Sequence, residues 1–166
     1  MNPLAISITP IGYITSPHKT LENMPIQPKG AADAIGKIVL DEKYLPALQD
    51  LDGFSHIYII YHFHKAPGTK LKVTPFMDDT QRGVFATRAP VRPSHIGMSV
   101  VELISVEGRT VTVKGIDTLD GTPLLDIKPY VEKFDRPESP VRSGWLEKSS
   151  PKQIESRRSD TRFTED

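Results

Sequence analysis

One decapeptide restricts the fold more than any other stretch of this chain. Residues 55–64 read SHIYIIYHFH, with Ile57, Ile59, Tyr61 and Phe63 at the odd positions and His56, Tyr58, Ile60, His62 and His64 between them. A period of two sends these sets to opposite faces of a β-strand. Such a strand needs neighbours, and the chain supplies them at 36–40, 71–74, 83–86, 97–106, 110–116 and 124–127, after a bent first strand over 6–16 broken at Pro10 and Gly12. Glu107-Gly108 marks a hairpin turn and Asp120-Gly121 another turn. The 15 prolines keep helices short. Residues 42–51, with Tyr44, Leu45, Leu48 and Leu51 spaced for a helix, suit one or two turns interrupted at Pro46. The expected fold is all-β and mainly antiparallel, a single-sheet β-barrel with short helical turns, because closure leaves no edge exposed.

At 166 residues one domain is expected. It spans residues 1–135. Residues 136–166 form a C-terminal extension whose few large apolar residues, mainly Val141, Trp145, Leu146, Ile154 and Phe163, bury too little area to order all of it. Trp145 is the candidate anchor, on the barrel or on a second subunit. Residues 18–34, polar and rich in Pro and Gly, make a connection too long for a compact domain unless mobile or part of a site.

Cysteine is absent, which removes disulfides and thiolate metal sites and fits a reducing compartment. No run of about 18 apolar residues could span a bilayer, and no signal-peptide pattern opens the chain. A cytoplasmic protein with no membrane partner is expected. His56, His62 and His64 share a strand face, but no partner ligand accompanies them and no metal centre is expected.

The net charge is zero, so nothing draws the whole molecule toward nucleic acid. Its distribution is uneven. Between positions 61 and 98 the local charge is +4, from Lys65, Lys70, Lys72, Arg82, Arg88 and Arg92 against Asp78 and Asp79, and from 99 to 135 carboxylates prevail. Residues 83–130 gather more turn-borne functional groups than any other part of the chain, so function is sought there first.

Within that stretch, GVFATR (83–88), RPSHIG (92–97) and DTLDGTPLLDIKPY (117–130), preceded by IGYITSP (11–17), the Pro25, Gln27 and Pro28 set and GFSHIYIIYHFH (53–64), resemble the TsaA-like, or YaeB-like, family of tRNA methyltransferases. The resemblance covers about residues 11–135. It implies a homodimeric enzyme of non-Rossmann β-barrel fold that uses S-adenosylmethionine to methylate N6 of threonylcarbamoyladenosine at tRNA position 37. The chain has no GxGxxG fingerprint after a strand, in keeping with that fold. Carried over by position, the cofactor site draws on Pro28, Lys29, Gly30, His64, Lys65, Arg88, Met98, Lys114, Gly115, Ile116, Asp117 and Thr118. Arg88 or Lys65 suits the cofactor carboxylate, Asp117 its ribose or ammonium, and Met98 the adenine face.

Methyl transfer from a sulfonium depends on positioning more than on acid or base chemistry. A carboxylate near the acceptor nitrogen could still take its proton, and Asp120, Asp126 and Tyr130 are the candidate catalytic groups. Arg92 and Lys128 are candidate substrate contacts, Lys128 toward the threonyl carboxylate. The family's arginine-proline loop usually reads RPNPIG, whereas Ser94 and His95 stand at its two variable places here. Longer members carry a C-terminal domain not matched in this chain, so tRNA is expected to rest on the barrel, the basic residues before Met98 and Arg157-Arg158. The competing expectations are the same fold with another methyl acceptor, and a non-enzymatic nucleic-acid-binding barrel that stacks bases on Tyr58, Tyr61 and Phe63.

Overall fold

The computed structural model describes residues 4–164 apart from Gln27 and Ser150. Eight strands form: β1 (Gly12–Thr15), β2 (Ile35–Leu40), β3 (His56–His62), β4 (Lys72–Val73), β5 (Arg82–Gly83), β6 (Ile96–Glu107), β7 (Thr110–Lys114) and β8 (Thr122–Pro129). Six of them close a barrel in the order β1-β2-β7-β6-β3-β8, and β4 and β5 make a separate two-stranded ribbon. These strands all pair antiparallel. The barrel expected from alternation is therefore present.

The decapeptide lies where the period required. β3 pairs with β6 on one side, His56 opposite Glu102 and Tyr61 opposite Gly97, and with β8 on the other. Ile57 and Ile59 are fully buried and Tyr61 nearly so. With Ile14, Ile38, Leu40, Val101, Val111, Val113, Ile116 and Leu124 they fill the barrel. Burying each such side chain stabilises the fold by roughly 1.5–3 kcal/mol. The intervening His56, Tyr58 and His62 remain partly or fully exposed. Among the described residues no group of histidines and carboxylates is placed to hold a metal.

Four expected strands are shorter than the pattern suggested: 71–74 pairs only at Lys72–Val73 and 110–116 ends at Lys114, and the first strand and 83–86 lose more. Of residues 6–16 only Gly12–Thr15 pairs as a strand, and Leu4, Ile6 and Ile8 are exposed. Pro10 has no N–H to extend the ladder. In the expected strand 83–86, only Gly83 pairs with β4, through Lys72, and Val84–Ala86 winds into a 3-10 turn. The Thr87 N–H and hydroxyl both donate to the Val84 carbonyl and close that turn. Residues 42–48 and 51–53 also form 3-10 helices, the first containing Pro46.

Beyond Asp135 the described residues fold back on the β4–β5 ribbon, the Val84–Ala86 turn and the β1–β2 connection. The short helix α1 (Glu132–Asp135) is followed by α2 (Pro151–Ser156) and by a last turn that buries Phe163 beside Val73, Val84, Ala89 and Val91. Phe163 meets Phe76 edge to face at 4.8 Å. Trp145 anchors the middle of the extension, its indole N–H donating to the Ala86 carbonyl at 2.8 Å. No helix among the described residues is long and apolar enough to cross a membrane.

Candidate active site

A cavity of about 1020 Å³ opens where β3 ends and β6 begins, at the upper end of the ~300–1,000 Å³ usual for small-molecule sites. Its walls come from distant parts of the sequence: Leu21 and Met24 to Ile26, His64 and Lys65, Phe85 to Arg88, Met98, Asp117 and Thr118, and Ser159, Asp160 and Phe163. The long connection between β1 and β2 is thus part of a site. It is tied down by Ser159, whose hydroxyl donates to the Leu21 carbonyl at 2.5 Å and accepts from the Met24 N–H at 2.9 Å.

The floor is built from a polar chain that begins inside the barrel. Ser99 occupies an inward position of β6 and is 2% exposed, so its hydroxyl must find protein partners. It donates to Asp117 Oδ1 at 2.7 Å and receives Tyr61 Oη at 3.1 Å. Since that donor is committed to Asp117, the phenol donates to Ser99. Burial raises the Tyr61 phenol far above its ordinary value, so it stays protonated. Burial likewise pushes Asp117 up to about 6, against the lowering pull of the Ser99 hydroxyl and of Arg88. Gly97 leaves room for this arrangement, because a side chain there would strike the rings of Tyr61 and Phe63.

The 115–118 segment is held rigidly. Gly115 adopts a left-handed φ of 85°, which glycine takes without steric cost. Its N–H donates to the Ala34 carbonyl at 2.9 Å, and the Ser16 hydroxyl donates to the Thr118 carbonyl at 2.7 Å. The Thr118 hydroxyl is buried on the cavity wall and has no hydrogen-bond partner among the described residues. An orphaned buried hydroxyl beside a buried carboxylate suits a polar, partly cationic ligand. His64 lines the cavity too, and burial lowers its pKa and favours the neutral ring.

Eight of the candidate cofactor and substrate residues line the cavity: Lys29, His64, Lys65, Arg88, Arg92, Met98, Asp117 and Thr118. Pro28 and Gly30 belong to the adjacent turn Pro28–Ala31, while Gln27 lies outside the described residues. Lys114 reaches Asp33 at 3.4 Å, and Ile116 is in the barrel core. Arg92 donates to the Thr87 and Ala89 carbonyls at 3.0 and 3.3 Å and so braces its own loop.

The three candidate catalytic groups are not on the cavity wall. Asp120 accepts from the Ser16 N–H at 2.9 Å and pairs with Lys19 at 2.8 Å. The Lys19 bond is the main cause holding its carboxyl below the usual range, which makes it a weak base. Asp126 pairs with Lys128 at 3.0 Å, and Tyr130 packs on Tyr58 with ring centres 5.7 Å apart. Of the expected stacking platforms, Tyr61 is buried and Phe63 meets it edge to face. Sequence reasoning missed Ser99, whose signal was a polar residue on the inward period of a strand, and the contribution of Ser159 and Phe163, which left none.

A closed six-stranded barrel with a cavity at one end, bordered by a buried carboxylate and a buried hydroxyl, defines a β-barrel built around one small-molecule site. Residues 13–136 match the family described as the tRNA-methyltransferase O N-terminal domain, and the chain belongs to that family. A probable S-adenosyl-L-methionine-binding protein of Pyrococcus abyssi is 49% identical over 161 residues, covering 97% of this chain and 86% of the relative. The mouse tRNA (adenine(37)-N6)-methyltransferase is 35% identical over 137 residues, covering 78% of this chain but 32% of the mouse protein. The crystal structure of TrmO from Pseudomonas aeruginosa superimposes with a TM-score of 0.72 at 39% identity, covering 86% of this chain. This chain spans 63% of the length of that solved chain.

Proposed function

We propose that this protein transfers a methyl group from S-adenosylmethionine to N6 of threonylcarbamoyladenosine at position 37 of tRNA. The observation that carries the reading is the cavity wall formed by Asp117 and Thr118, a buried carboxylate next to a partnerless hydroxyl. The adenine-37 activity for which the mouse relative is named supports the acceptor position, and the resemblance of the 83–130 motifs supports the threonylcarbamoyl group.

When bound, the cofactor supplies an electrophilic methyl on a cationic sulfur and presents a carboxylate, an ammonium and an adenine. In this assignment Asp117 faces the cationic part. Arg88 and Lys65 receive the cofactor carboxylate, Thr118 donates to a ribose or carboxylate oxygen, and Met98 covers the adenine. The chain's work is to hold donor and acceptor in line and to exclude water, which suffices for a displacement of this kind. No dedicated base is assigned, since Asp120, Asp126 and Tyr130 stand off the cavity wall and Lys19 and the Ser16 N–H hold the Asp120 carboxyl below its usual range.

A cytoplasmic homodimer is the setting we assign to it. The family resemblance supports the dimer, and sedimentation velocity tests it, a monomer at micromolar concentration overturning it.

The decisive test is mass spectrometry of tRNA nucleosides from a strain lacking the gene, with purified protein and S-adenosylmethionine added back. Loss and restoration of the N6-methylated threonylcarbamoyl nucleoside is expected. Methylation of another base by the added protein would keep the fold's chemistry and replace the acceptor.

A further inference from the structure

Phe85 is 77% exposed and Leu71 is 71% exposed, although both are large and apolar. The β4–β5 ribbon brings them together: Lys72 pairs with Gly83, and the Val84 N–H donates to the Leu71 carbonyl at 2.9 Å. Phe85 is in the turn that follows, and it lines the cavity. The same ribbon carries Lys70 and Lys72, both exposed, on either side of Leu71, and Lys65 stands exposed on the cavity wall.

The charge around this rim is not neutralised. Lys65, Lys70 and Lys72 take part in no ion pair among the described residues. Of the two carboxylates in the segment, Asp78 is engaged by Arg82 at 2.7 Å. An exposed ring edged by uncompensated ammonium groups fits a ligand with a flat apolar face and a row of negative charges. A single-stranded nucleic acid has both, because each base offers a π-face and each link a phosphate. A protein partner fits less well, since lysine is depleted from protein interfaces. A duplex fits less well again, because its bases are already stacked.

We propose that the rim formed by Leu71, Phe85, Lys65, Lys70 and Lys72 is the docking face for single-stranded RNA. Phe85 stacks on a nucleotide beside the one that enters the cavity, and the lysines follow the backbone phosphates. The inference rests on the tRNA reading above and assigns the surface that reading lacks. It also moves the stacking role from Tyr61, which is buried, and Phe63, which packs edge to face on it, to a residue at the cavity mouth.

The test is fluorescence anisotropy with a labelled, unmodified anticodon stem-loop RNA, run beside calorimetry with S-adenosylmethionine. It reads binding without methyl transfer, so it stands even if another acceptor is found. Phe85→Ala should weaken RNA binding about tenfold, as expected for one lost base stack, and Phe85→Trp should restore it. Lys70→Glu with Lys72→Glu should lower the slope of log Kd against log salt by about 0.7 for each phosphate that is no longer neutralised. Cofactor affinity should change far less than RNA affinity in the Lys70→Glu, Lys72→Glu variant, whose residues stand off the cavity wall. Unchanged RNA affinity in Phe85→Ala, or an equal loss of RNA and cofactor affinity in the double lysine variant, would overturn the proposal.

Discussion

Asp117 is the residue on which the site's electrostatics turn. Its carboxyl sits at about 6 in the fold, above an ordinary value of 3.8. Protonation therefore favours the folded state, a contribution complete below about pH 4 and lost as pH rises through about 6. Binding a cationic ligand has the opposite requirement, because it needs the ionised form. Affinity for S-adenosylmethionine should fall as pH drops below about 6, and calorimetry across that range reads it. Ser99→Ala removes the donor to Oδ1 and should shift the midpoint upward, while Asp117→Asn should bind weakly and lose that midpoint. A guanidinium does not titrate in this range and Tyr61 stays protonated; His64 is the histidine among the described residues on the cavity wall, and His64→Gln separates its share. A flat profile in the wild type would remove Asp117 from the cofactor's contacts. Residue chemistry was only partly legible in the sequence. Asp117 and Thr118 came from the resemblance, but that one is buried and hydrogen-bonded and the other orphaned depends on strands about 20 and 50 residues upstream.

Among the elements, β3 and β6 carry the heaviest constraint, since their register sets Tyr61 opposite Gly97. Gly97→Ala would put a carbon within 2.6 Å of Tyr61 Cζ and 2.8 Å of Phe63 Cζ. Overpacking of this kind costs about 1–3 kcal/mol. Urea unfolding should show that loss as a lower midpoint with an unchanged slope, and cofactor affinity should fall as the Tyr61–Ser99–Asp117 chain is disturbed. Wild-type stability in Gly97→Ala would mean the rings have room that the register denies. The strands with strict alternation, β3 and β7, were legible because a period of two and one buried face leave a single orientation. The turn at Val84–Ala86 was not, because a four-residue apolar run reads equally as a strand. His95 shows a related limit. It has a left-handed φ of 50°, whereas the proline usual at its place in the family's loop is locked near −65°, so this turn must be wound differently.

For the molecule as a whole, the C-terminal extension matters more than its composition suggested. Ser159 stitches it to the β1–β2 connection, Phe163 fills the small core under the β4–β5 ribbon, and both line the cavity. The relative from Pyrococcus abyssi aligns over 161 residues, so its similarity extends into this segment. Truncation after Ser156 should leave the six-stranded barrel folded by circular dichroism and raise the cofactor Kd at least tenfold, an order-of-magnitude expectation for losing one wall of a site. Full affinity in the truncated chain would make the extension dispensable to the site.

The sequence by itself determined the barrel, its strand periodicity, the position of the clearest strand and the family, because each is written in local pattern or in motifs of fixed order. Only the tertiary structure decided which charged groups share a cavity. It sent Asp126, Lys128 and Tyr130 elsewhere on the chain's surface, turned Arg92 inward on its own loop, and recruited Ser159 and Phe163 from more than 100 residues beyond the first strands. The physical reason is that a cavity is made where separate segments meet. Their meeting depends on closure of the sheet and on long-range hydrogen bonds, and neither leaves a period in the chain. The same decapeptide shows both sides of this: its alternation fixed the faces of β3, yet its Tyr61 gained a role in the site only through Ser99 and Gly97 on the neighbouring strand.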